Sequence, residues 1–157
     1  MRHVRSEIDI AASADTVWRT LADFSAYPAW NPFVRSISGE QRPGARLNVT
    51  VHPEGGKAMS FKPQLLVFEP KKELRWKGQV LAPGIFDGEH YFQLTESSPG
   101  RVHFVHGEVF SGLLAPLVFR GSVRAGTERG FAAMNQALKA RAEVQQRDRQ
   151  SVPVHET

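Results

Sequence analysis

The sequence predicts an α+β domain in which a curved antiparallel sheet of about seven strands wraps around one long C-terminal helix. Three observations carry this reading. The middle of the chain, from Leu47 to Phe110, alternates apolar and polar residues with a period of two, broken by short turn-forming stretches. Val123, Thr127, Gly130, Phe131, Met134 and Leu138 then recur at spacings of three and four, the signature of a half-buried helix. Ahead of both stand one alternating stretch and two short helical segments.

The elements follow in order. His3 to Ala11 alternates as a first strand, with Val4, Ile8 and Ile10 at its apolar positions. Ser13 is a good N-cap for a helix reaching Phe24, with Val17, Trp18 and Leu21 as its apolar stripe. The stretch "AYPAWNP" suits a second short helix, which Asn31-Pro32 ends. Leu47, Val49 and Val51 alternate with polar neighbours, and after "PEGG" the pattern resumes at Met59, Phe61, Leu65 and Val67. Leu74, Trp76, Gly78 and Val80 form the clearest half-buried strand. Phe92 and Leu94 lie on the next strand, and "SSPG" turns into "RVHFVHGEVF". Strands joined this tightly form an antiparallel meander. The long helix is expected to begin within "SGLLAPLVFRG" and to run to about Val144.

At 157 residues, 41% apolar and 23% charged, the chain has the balance of a single globular domain with a real core. Residues 1–145 are expected to form that domain, and residues 146–157 a polar, disordered tail. No apolar run approaches the roughly 18 residues of a membrane span. The first residues carry two arginines and a glutamate where a signal peptide needs its apolar stretch, so a cytoplasmic protein is expected. Without cysteine there is no disulfide, thiol nucleophile or thiolate metal site. Basic residues are in excess, for a net charge of +4, but acids interrupt every dense stretch, so no nucleic-acid partner is expected. The glycine-rich phosphate loops, H-E-x-x-H and G-x-S-x-G are also missing.

The stretches "AWNPFVRSISGE", "LRWKGQV", "GIFDGEHYFQL", "HGEVFSGLLAPL" and "RGFAAMNQALKARAE" resemble the START and birch-pollen-allergen (SRPBCC) superfamily with its helix-grip fold, in the polyketide cyclase/dehydrase-like bacterial branch. The likeness spans Arg5 to Glu143. It implies a cavity between sheet and helix, with the second-helix region as its gate and the segment before the long helix at its mouth. It does not settle function, because the superfamily includes lipid carriers, hormone receptors, cyclases and co-chaperones.

Phe92, Leu94, Val102 and Phe104 are even-numbered, as are the apolar positions of "LRWKGQV", so His90, His106 and Glu108 fall on the concave face beside Phe92 and Phe104. Three readings of this polar cluster stay open. It is a satisfied structural network, with Arg120 or Arg124 as counter-charge; it orients the polar end of an apolar ligand; or His90, His106 and Glu108 move protons in an enzyme. A metal triad of the two histidines and the carboxylate lacks any supporting pattern, and neither metal nor cofactor is expected.

The wall of the expected cavity is read as Phe24, Trp30, Phe33, Phe61, Trp76, Phe92, Phe104, Thr127, Phe131 and Met134. Gly78, Gly88 and Gly107 interrupt strands, which sheet curvature would explain, and Gly126 and Gly130 mark a close approach to the helix. The segment Leu113–Phe119 is too apolar for one helical face and reads as a lid or a homodimer contact, with membrane docking a weaker alternative. The expected function is carriage or sensing of a small hydrophobic molecule such as a lipid, isoprenoid or polyketide-like aromatic. The alternatives are a cyclase or dehydratase, and a co-chaperone-like interaction module with a sealed interior.

Overall fold

A computed structural model describes residues 1–152 of the chain. The first strand β1 (Arg2–Ile10) leads to α1 (Ala14–Ala22), where Ser13 Oγ accepts the Thr16 N–H at 3.2 Å as expected of an N-cap. A 3-10 turn (Phe24–Ala26) and α2 (Tyr27–Trp30) complete the short helical segment. Six strands follow before the hairpin ends: β2 (Val34–Ser38), β3 (Asn48–Val51), β4 (Met59–Phe61), β5 (Gln64–Glu69), β6 (Glu73–Val80) and β7 (Phe86–Ser98). The strand β8 (Arg101–Ser111), the short α3 (Ala115–Val118) and the long α4 (Gly121–Ser151) close the fold.

The strands order β1-β8-β7-β6-β5, with β2-β3-β4 as a second, smaller sheet; all pairs are antiparallel. Eight strands stand where about seven were expected. Val34–Ser38 pairs although its pattern is too short to read, and the run Met59–Val67 splits at Pro63, which has no N–H to donate. The two sheets remain tied across that break. Leu47 N–H donates to Pro63 O at 2.9 Å, and Leu65 N–H donates to Ala45 O at 2.8 Å.

The helix α4 lies chiefly along β1 and α1 and buries Thr127, Phe131, Met134, Asn135, Leu138 and Ala142. Val123, expected on that buried face, is exposed at the helix's first turn. The helix also outlasts its expected end near Val144. Gln145 and Gln146 accept hydrogen bonds from the Thr20 and Thr16 hydroxyls, at 2.8 and 2.7 Å, and Arg149 donates to Asp15 and Thr16. Residues 146–151, expected as part of a disordered tail, are therefore helix docked on α1. The end of that expected tail, 153–157, lies outside the described residues.

Candidate functional site

The concave face of the sheet carries a chain of polar side chains. His90 on β7 stands opposite Glu108 on β8, and His106 is two pairs further along, opposite Phe92. The even-numbered register therefore brings all three expected residues together. His90 Nδ1 lies 3.2 Å from Glu108 Oε2, and His90 Nε2 lies 2.7 Å from His106 Nε2. His106 Nδ1 donates to Asn135 Oδ1 on α4 at 3.0 Å, and Asn135 Nδ2 donates to Ser6 Oγ on β1 at 3.1 Å. The expected counter-charges are elsewhere: Arg124 pairs with Glu128 and Arg120 is exposed, because both sit before the helix turns its face to the sheet.

Asn135 and Ser6 were not anticipated. Asn135 had a signal, since it lies one turn after Phe131 on the apolar stripe of α4. Ser6 had less, being one serine among alternating residues. Its pairing with His106 across β1 and β8 places it on the same face.

The bonds of this chain fix where its protons are. Asn135 Oδ1 can only accept, so His106 holds its proton on Nδ1. Burial above all, and then the neighbouring His90 ring, push His106 well below the usual histidine range, so the ring is neutral and its Nε2 bare. His90 Nε2 must then be the donor between the two rings. The remaining contact, His90 Nδ1 to Glu108 Oε2, needs one further proton, held by the imidazolium or by the carboxyl group.

Aromatic rings surround the chain. His106 stacks on Phe131 at 3.8 Å between centroids, and His90 stacks on Trp76 at 4.9 Å. Phe33 closes the space above them, with its ring 5.4 Å from Phe131 and 6.4 Å from His90. Its backbone is aimed inward by Asn31, whose Oδ1 accepts the N–H groups of Phe33 and Val34 at 3.0 and 2.9 Å. Among the described residues, the hollow expected between sheet and helix is filled by side chains, since Phe33, Trp76, His90, Phe92, His106 and Phe131 keep no more than 4% exposure. Open space lies on the outside, in one groove of about 300 Å³ lined by Thr16, Arg19, Gln145, Asp148 and Arg149, and another of about 260 Å³ over β2–β4.

The other expected wall residues divide. Trp76, Phe92, Phe104, Phe131 and Met134 are fully buried around the polar chain. Phe24 instead packs edge-on to Tyr27, and Thr127 turns its hydroxyl back to Val123 O. Trp30 and Phe61 are half-buried. The strand glycines sit in regular register rather than at bulges, and they leave room for neighbouring side chains. A Cβ on Gly88 would come 2.6 Å from Glu108 Oε1, and one on Gly107 would come 2.2 Å from the Tyr91 ring. Gly130 likewise makes room for Phe33, at 2.4 Å.

The family model for polyketide cyclase/dehydrase and lipid transport matches residues 1–143. The chain belongs to this family. No curated protein matches it closely in sequence. Among solved structures it is similar to a START superfamily protein from Mycobacterium smegmatis, with a TM-score of 0.71 at 21% identity, covering 91% of this chain and 98% of the other. A protein from Helicobacter pylori without a described function matches at a TM-score of 0.73 and 20% identity, covering 90% and 88%. The Zhui aromatase/cyclase from a Streptomyces species matches at 0.68 and 19%, covering 90% and 93%. At these identities the likeness is one of fold, the fold of a family that binds hydrophobic ligands.

Proposed function

We propose that the protein binds a small hydrophobic molecule, such as a lipid, an isoprenoid or a polyketide-like aromatic, and orients its polar group on Glu108 and His90. The observation that carries this is the polar chain itself. A core of apolar side chains of the same volume would be as stable or more so than one holding two histidines, a carboxylate and an amide. The chain also has an outer end. Glu108 Oε2 is held by His90, while Oε1 takes no hydrogen bond from another side chain or backbone group among the described residues. The Glu108 side chain keeps 15% exposure, whereas the His90 side chain keeps 4%.

Because the interior is filled, the ligand takes its place by displacing Phe33, the one ring of the cluster that comes from a loop rather than a strand or helix. Two unpaired groups, one on that loop and one at the end of α2 just before it, lower the cost of moving it. Trp30 Nε1 and Asn31 Nδ2 are buried without a hydrogen-bond partner among the described residues, a condition that costs about 1–3 kcal/mol per group.

A filled interior is also what an interaction module would have, and that second reading rests on it. It leaves the buried ionisable chain without a purpose. The enzyme reading uses the same residues, with the proton between Glu108 and His90 available to a bound carbonyl or hydroxyl.

The test is a titration of 2-naphthol followed by Trp76 fluorescence, in a background where Trp18 and Trp30 are phenylalanine. Glu108→Gln is expected to weaken binding about fivefold to tenfold, the loss of one charged hydrogen bond, with little change in melting temperature. Unchanged affinity together with a lower melting temperature would return Glu108 to a structural role.

A further inference from the structure

The loop between β6 and β7 and the segment leading into α3 form a single apolar rim. Leu113 N–H donates to Gly84 O at 3.0 Å and Leu114 N–H donates to Ile85 O at 2.9 Å, so the two turns are bonded side by side. Gly112, at a φ of +102°, permits this approach, since a Cβ there would lie 2.5 Å from Ile85 O. From this rim Leu81 and Leu113 project at 82% and 85% exposure, with Val80, Leu117 and Val118 beside them. Leu81 is held at a φ of +72°, a left-handed conformation that favours glycine or asparagine. A strained, exposed leucine at a turn tip is costly for a surface that meets only water.

The exposed charge around these tips is basic: the Asp87 carboxylate, which accepts the Gly84 N–H at 3.2 Å, is buried and lies 3.8 Å from Lys77. Neither 78–86 nor 109–127 contains an aspartate or glutamate, while Arg120 and Arg124 follow the apolar residues directly. Both arginines are exposed, and among the described residues only Arg124 has a carboxylate partner, Glu128, one turn further along α4. Glu54, on the loop beside Gly126, is paired with Arg129 at 3.4 Å.

We infer that this rim is a docking surface for an anionic lipid bilayer, with Leu81, Leu113 and Leu117 entering the interface and Arg120 and Arg124 meeting lipid phosphates. Apolar tips backed by arginines are the arrangement that binds reversibly to such a surface. A second copy of the chain is the poorer occupant. A two-fold contact would bring the exposed arginines of the rim against their own copies, setting like charges together. Lipid supplies the opposite charge. This inference does not depend on what the interior binds.

The experiment is co-sedimentation of the full chain with vesicles of phosphatidylcholine alone and with phosphatidylglycerol added, with no other ligand present. The wild type is expected to pellet with the anionic vesicles and to be released by salt. Arg120→Glu should weaken binding by about fivefold or more, as the loss of one basic contact implies. The double variant Leu81→Asp, Leu113→Asp should weaken it about tenfold or more, because charged tips cannot enter the interface. Circular dichroism would confirm that these exposed substitutions leave the fold intact. No pelleting of the wild type, or pelleting that all variants retain, overturns the inference. So does a wild-type dimer in sedimentation equilibrium that the leucine double variant dissociates, because the rim would then be an interface between copies.

Discussion

His106 is the residue whose chemistry is most constrained by its surroundings. It is fully buried, stacked on Phe131, and bonded at both ring nitrogens. Its native pKa is depressed, so the unfolded chain binds a proton that the folded one refuses. Stability therefore rises with pH wherever the unfolded histidine is protonated, and falls as pH drops below about 6.5. The slope contributed is about 1.4 kcal/mol per pH unit until the native ring titrates. The carboxyl groups of Glu143 and Asp9 are lowered too, by their hydrogen bonds to Lys139 and His103, so their stabilisation is also lost as pH falls, but in a more acidic window. Urea unfolding at pH 7, 6 and 5 should show the loss in the wild type and a shallower dependence in His106→Gln. Equal slopes would mean that His106 is protonated in the folded protein. The position of this histidine was legible from strand parity alone. Its partner Asn135 was not, because a single polar residue on a helical stripe does not say which strand residue it meets.

At the scale of elements, the decisive contact is between the Asn31–Phe33 loop and α4. Alanine is favoured over glycine inside a helix by about 1 kcal/mol. At Gly130 the sign reverses, because the new Cβ would lie 2.4 Å from Phe33 Cδ2. Gly130→Ala should then cost about 1–3 kcal/mol, as overpacking does, and push Phe33 away from His90 and Phe131. Acrylamide quenching of Trp76 should increase at the same time. A stabilised variant with Trp76 still shielded would show that Phe33 is a fixed part of the core. The sheet, the short helices and the long helix were readable from periodicity, since each alternates between core and solvent. The filled interior was not. Periodicity reports which face is buried, but not whether the curvature of a sheet leaves space once a loop ring such as Phe33 has folded in.

The whole molecule joins two features that periodicity treats alike, a buried polar chain at the centre and an apolar rim at one end. Five side chains from β1, β7, β8 and α4 make the chain, so it forms only when sheet and helix meet. Glycine packing also acts at this scale. Gly88 leaves room for the Glu108 carboxylate, whereas curvature alone would have tolerated alanine there. The account as a whole depends on the Glu108 end of the chain being the place where a ligand's polar group arrives. Long-range proton–nitrogen correlation spectra of the histidine side chains, recorded with and without 2-naphthol, test this most directly. The account predicts that free His106 is neutral with its proton on Nδ1, and that His90 Nδ1 shifts on adding 2-naphthol while the exposed His3 and His52 do not. His90 resonances that stay unchanged while the probe is bound would contradict it.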